Sequence, residues 1–446
     1  MSVLTRYKEV LLSLYQALAS VLIAVILLVL YREAVVPAFD YMGFKYHSPE
    51  PVLVFFALVM VGLLALFLPQ KMELPSDLFA WLFFAIVVVP SLTIPLVSAT
   101  SLEPLLYGVM ALTMAVALLF FAWFPRVPAV FGGRLAMPSG TFWVLFIFLL
   151  VGCLLVLVLD FRSGLGRLLS LSGYSDIYSL RFSYREQVSS GFPLSPYFLL
   201  WTSKVLVPLL MAWGIVHRHW LLVGVSIFLQ ILMFSISGHK SFILSLVLVA
   251  GVLWLFSRER GGVWFVSGIL ILSLLAAGFF YFLDNTLLVN VVIRRALMVP
   301  GMLTGFYYEY FNNQGLALYS QNFLQGWTTS AYTRPPAFEI GYAYFVREET
   351  SSNVHFWADA FANLGYFAVI GVSLFVGVML AFINSLARSR ERLLVVGLFV
   401  VPFWTLLESS LNTTLISHGL ALALVLALVM PLGSRGAETG LWNGVR

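Results

Sequence analysis

Eight arginines sit in two polar segments, residues 160–193 and 284–360, that interrupt a nearly continuous run of apolar stretches. They are Arg162, Arg167, Arg181, Arg185, Arg294, Arg295, Arg334 and Arg347. A guanidinium fork matches phosphate oxygens two at a time, so this concentration points to the gripping of a phosphorylated group. Arg181 and Arg185 stand four apart and share a face if their segment is helical, while Arg294 and Arg295 are adjacent. The plainer alternatives are headgroup anchoring by long side chains, or ion pairs with Glu186, Glu309 or Asp284.

Three further groups carry chemistry. Ser237-Gly238-His239-Lys240-Ser241 is a tight turn between two apolar stretches; its glycine allows the reversal, and His239 and Lys240 offer a titratable group and a point charge for phosphate. A hairpin tip with a lysine reaching into the interface is the structural alternative. Lys204 falls mid-stretch in YFLLWTSKVLVPLL, where an ammonium costs a few kcal/mol unless it meets a partner or polar cavity. Glu408 and His418 are candidates to line that cavity, or to pair with it structurally. Finally, His355, Asp359 and Asn363 recur at four-residue spacing in HFWADAFANLG and share a helix face. His355 or Asp359 there could take a proton from a sugar hydroxyl; a helix cap and dipole partner is the alternative reading. Glu309, Glu339, Glu348 and Glu349 are weaker candidates for the base. No metal-binding, phosphate-loop or hydrolase motif occurs in a suitable context, so neither metal nor nucleotide is expected, and the cofactor expectation is none.

The elements that must position these groups are membrane spans. The 446 residues are 61% hydrophobic and 10% charged, with a mean hydropathy of +0.98, a balance that excludes a soluble domain. About twelve apolar stretches are read near 11–31, 51–69, 79–97, 105–125, 140–160, 194–216, 220–237, 241–257, 263–283, 361–385, 393–410 and 413–432. The expected fold is therefore an all-α polytopic integral membrane protein, one transmembrane domain over 1–446 with two large outer loops at 160–193 and 284–360. The first apolar run lacks a small-residue cleavage site and reads as an anchor. The single cysteine, Cys153, lies inside a span, so no disulfide framework is expected.

Sidedness follows from basic residues in short turns. With the N-terminus inside, thirteen of the 25 Lys and Arg are cytoplasmic, eleven are outside and Lys204 is within a span. The reverse would expose Arg388, Arg390 and Arg392 outside, against the positive-inside tendency. Both termini are thus expected in the cytoplasm, and the eight loop arginines stand outside against their preference. The net charge of +5 reflects this sorting and does not point to nucleic acid. Within the second loop, 291–311 is apolar enough to lie in the interface as an amphipathic helix, with Tyr and Phe at headgroup level. The aromatic loop faces suit stacking on sugar rings, with Tyr308, Glu309 and Trp357 as expected glycan contacts.

Several of these segments resemble the Wzy-type O-antigen or oligosaccharide repeat-unit polymerases, most clearly from about 176 to 375. The segments are SDIYSLRFSYRE, SGHKSFIL, RRALMVPGMLTGFYYEYF and IGYAYFVREETSSNVHFWADAFANLGYFAVIG. An Arg-x10-Gly spacing found in some family loops occurs from Arg294 to Gly305 and from Arg162 to Gly173, whereas Arg181 to Gly191 misses it by one. The resemblance implies a GT-C-like, inverting, metal-independent glycosyltransferase of the bacterial inner membrane, acting at its periplasmic face. Its substrates would be undecaprenyl-pyrophosphate-linked oligosaccharides, with a growing glycan as donor and a single repeat unit as acceptor. Arg181, Arg185, His239, Lys240, Arg294 and Arg295 would hold the leaving pyrophosphate, the electrostatic part of the catalysis. A Wzz-type chain-length regulator is an expected partner beside the lipid bilayer. The competing readings are an O-antigen ligase acting on the same lipid donor, a lipid-linked oligosaccharide flippase, and a scaffold protein. A flippase would predict inverted repeats and mid-membrane charges, and here Lys204 is the main mid-span charge.

Overall fold

The computed structural model describes residues 3–98, 100, 102–127, 135–161, 181, 184, 186–188, 191–322, 324–330, 332–346 and 349–433. These residues form helices and turns, with no strand beyond two isolated bridges. Among them, nine helices are long and apolar enough to cross a membrane, and four shorter apolar helices accompany them. The stretches expected at 51–69, 241–257, 393–410 and 413–432 correspond to the shorter ones, Pro51–Leu66, Lys240–Phe256, Arg392–Leu406 and Leu420–Val429. The last is cut short at its start by Gly419, whose φ of 82° is left-handed.

One of the nine long helices, Val289–Gln314, lies inside the segment read as the second outer loop. Residues 300–308, which include aromatic side chains expected at headgroup level, are all buried within the protein. Packing explains why. Gly301 and Gly305 form a small-xxx-small stripe that admits the Pro75–Leu96 helix at close range. A Cβ on Gly301 would run into the Pro90 carbonyl, and one on Gly305 would come within 2.7 Å of Thr100.

Four helices share a local irregularity with a common cause. The wider π-type winding occurs at Tyr31–Val35, Phe83–Val88, Thr202–Leu206 and Val289–Met298. Each segment ends two residues before a proline: Pro37, Pro90, Pro208 and Pro300. Proline has no N–H to return and its ring crowds the carbonyl four residues back, so the preceding turn widens. Arg32, Lys204, Arg294 and Arg295 all fall within these widened turns.

The chain divides into two compact units. The first comprises residues 1–127, 258–381 and 406–411. Its centre is the Pro75–Leu96 helix, whose apolar window is entirely buried. That helix starts where Asp77 accepts the backbone N–H groups of Glu73 and Leu74, both at 2.9 Å, and meets Arg126 at 2.8 Å. The second unit comprises 128–257, 382–405 and 412–446. Its core packs Leu157, Phe161, Leu199, Met233, Ile236 and Phe242 together.

Candidate functional site

The expected site residues divide between the two units. Arg294, Arg295, Tyr308, Glu309, His355, Trp357 and Asp359 belong to the first; Arg181, His239 and Lys240 belong to the second. Arg185 lies outside the described residues, as do Arg162, Arg167, Arg347 and Glu348.

In the first unit, Arg294 Cζ lies over the Phe39 ring, 4.0 Å from its centroid, with the Phe44 centroid at 5.6 Å. Among the described residues it makes no ion pair, and its buried Nε has no hydrogen-bond partner. Arg295 beside it is exposed. The segment that supplies the rings was not singled out in the sequence. It turns at Gly43, with φ 84°, and is pinned by Tyr31 donating its hydroxyl to Lys45 O at 3.0 Å. A Cβ on Gly43 would press on Phe345 and Tyr344 at 3.1–3.3 Å, so the turn is seated on the Pro336–Phe345 helix. The alternation of aromatic and basic residues in FDYMGFKYH is the signal that could have found it, since guanidinium favours a ring face.

His355 precedes the Phe356–Ser389 helix and caps it. Its Nδ1 accepts the Ala358 N–H at 3.2 Å, which leaves Nε2 to carry the proton and donate to Thr304 Oγ1 at 2.9 Å. Thr304 in turn donates to Pro300 O at 2.7 Å and accepts from Ser91 at 3.0 Å. Both ring nitrogens are committed, and burial pushes the imidazole down to about 3. This geometry favours the cap over the base for His355.

Asp359, one turn further on, is half-buried. Burial first, then the nearby Asp359 carboxylate, pushes the Tyr319 phenol up. Leu318 and Tyr319 hold φ of 55° and 53°, a conformation that non-glycine residues keep only when their surroundings enforce it. Asn363 enforces it here: its Oδ1 accepts the Tyr319 N–H at 2.9 Å and its carbonyl accepts the Leu318 N–H at 3.0 Å. His355 thus stands at the start of the helix, and Asp359 and Asn363 follow within it one turn apart.

The expected glycan contacts need revision. Tyr308 and Trp357 are fully buried, and Tyr308 spends its face on Phe361, 3.8 Å away. Trp357 donates Nε1 to Ser373 at 3.2 Å. Neither ring offers a free face to a sugar, because apolar helix packing has claimed both. Glu309 bonds the Tyr344 phenol instead. Accessible rings nearby are Tyr342, with Arg334 over it at 4.6 Å, and Tyr310.

In the second unit, the His239 turn is built as its sequence implies. Gly238 takes φ 68°, and its carbonyl accepts from Arg181 Nε at 3.4 Å. His239 sits between Tyr184 and Phe242, with ring centroids at 6.1 and 5.5 Å, and Lys240 is exposed at the start of its helix. Lys204 meets His418, Nζ to Nδ1 at 3.1 Å, so the neutral imidazole accepts from the ammonium. Glu408, the other candidate for that cavity, belongs to the first unit. Among the described residues no cluster of three or more His, Cys, Asp or Glu could hold a metal ion.

Helices of this length and hydropathy are those of a polytopic membrane protein. Comparison with known proteins finds no matching family model, no matching curated sequence and no matching solved structure.

Proposed function

We propose that this chain is a glycosyltransferase that polymerises oligosaccharide repeat units carried on undecaprenyl pyrophosphate, at the outer face of a bacterial inner membrane. The observation that carries this reading is Arg294: a half-buried guanidinium on an aromatic platform, without an ion pair among the described residues. A half-buried guanidinium without an ion pair among the described residues is suited to an anionic ligand that supplies one. Asp359 is the acid–base group of this reading, taking the proton from the acceptor hydroxyl as it attacks the donor's anomeric carbon. Arg294 and Arg295 neutralise the pyrophosphate as it leaves. A Wzz-type partner would set chain length.

The test is polymer formation from the cognate lipid-linked repeat unit in membranes, normalised to protein level. Arg294→Ala is expected to leave single-repeat product with no ladder, and Arg294→Lys to restore a partial one. A full ladder from a well-expressed Arg294→Ala protein would remove the residue from the site. Single repeats transferred to lipid A-core with no ladder even in the wild type would identify a ligase instead.

A further inference from the structure

Four helix ends meet at a cavity in the second unit that the proposed chemistry does not use. Ser139 and Glu391 stand at the starts of two helices, His217 and Met430 at the ends of two others, and all four line it. The volume is about 370 Å³, the size of a small-ligand site. One wall is aromatic. Trp143 and Trp213 stack at 3.8 Å with an 11° interplanar angle, and the His217 and His219 rings stand edge-on to Trp213 at 6.2 and 6.3 Å. Glu391 adds a carboxylate 3.5 Å from His217 Nε2, with 22% of its side chain exposed.

The remaining wall is held deliberately in place. Arg390 is buried and donates Nε to Met430 O at 3.1 Å and Nη2 to Leu428 O. Gly433 N donates to Ser389 O at 3.2 Å, which ties residues 430–433 across the opening. This wall is apolar, with Leu432 55% exposed.

The lining therefore combines three chemistries. A carboxylate beside indole faces suits an ammonium. Imidazoles, with the N–H groups at the start of the Ser139–Asp160 helix, suit a phosphate. An apolar exit at the ends of apolar helices suits acyl chains, at the depth where tryptophan concentrates. We propose that this cavity holds the headgroup of a phosphatidylethanolamine-type lipid, with its ammonium on Glu391 and Trp213 and its phosphate on His219 and the Ser139 helix start.

Native mass spectrometry of the delipidated full-length protein, titrated with phosphatidylethanolamine or phosphatidylglycerol, tests this directly. The wild type should retain the ethanolamine lipid about tenfold better, the worth of one good charged contact. Glu391→Gln should erase that preference while leaving phosphatidylglycerol binding unchanged, and His219→Gln should weaken both lipids. Equal retention of the two lipids by the wild type would overturn the assignment, as would an unaltered preference in a folded Glu391→Gln protein. Soluble O-phosphoethanolamine is the third arm. If it displaces the lipid at millimolar concentration or below, the occupant is a free metabolite and the lipid assignment fails.

Discussion

The Nε2 atom of His355 and the hydroxyl of Thr304 lie 2.9 Å apart in the interior of the first unit. That bond joins the start of one long helix to the middle of another, while the Ala358 N–H donated to Nδ1 fixes which nitrogen carries the proton. The imidazole is consumed by structure on both sides, and the proposed function therefore gives the proton transfer to Asp359.

His355 should make stability depend on pH. Its folded pKa of about 3 lies below the ordinary 6.5, so the unfolded chain binds the extra proton between those values. The neutral cap's full contribution is present above pH 6.5, and is lost on acidification by roughly 1.4 kcal/mol per pH unit until about pH 3. Thermal melts of the detergent-solubilised protein at pH 7 and pH 5 should show this loss. His355→Asn, which keeps a capping oxygen and does not titrate, should flatten the slope. An equal slope in both proteins would refute the neutral-cap assignment.

Asp359→Asn should reduce the rate of polymer formation by about 100-fold or more, with the protein's melting temperature unchanged or raised. Full activity in this variant would move the acid–base role elsewhere.

Phe39→Leu removes the ring beneath Arg294 and keeps the apolar volume. The loss of a cation–π contact worth about 1 kcal/mol should lower polymerisation roughly fivefold and raise the amount of lipid-linked substrate needed. An effect as large as that of Arg294→Ala would mean that Phe39 does more than orient the guanidinium.

Gly301→Ala should be poorly tolerated, because its Cβ would meet backbone rather than a movable side chain. Overpacking of this kind costs about 1–3 kcal/mol, read as a lower melting temperature or reduced yield. Gly371→Ala is the control, since its Cβ would meet nothing within 4 Å. Helix-forming tendency favours alanine at both positions, so similar losses in both would show that the close approach to Pro90 is not what governs the first site.

Much of the architecture was legible because hydropathy is a property of single residues summed over a window. Eight of the twelve expected spans coincide with long apolar helices and four with shorter ones. Val289–Gln314 escaped because its mean hydropathy is 1.2, the lowest of the nine, and its partner is another helix rather than lipid. Its glycine stripe, GMLTG, was in plain view.

The candidate site was legible only in part. Arg294, the His239 turn and the four-residue spacing of His355, Asp359 and Asn363 were readable from residue types and spacing. Types and spacing did not show that Phe39 lies under Arg294, or that Tyr308 and Trp357 are buried.

By itself, then, the sequence determined the helical membrane class, the polar segments and the residue types available for phosphate and proton chemistry. The tertiary structure alone decided which of those residues are spent on packing. His355 became a cap, Tyr308 a core ring, and Trp143 and Trp213 the wall of a cavity. The physical reason is that apolar helices in lipid carry no periodic signal of which face meets protein. Partners 70 to more than 250 positions apart, such as Trp143 and Trp213 or Phe39 and Arg294, are chosen by close packing and hydrogen-bond geometry that no local pattern encodes.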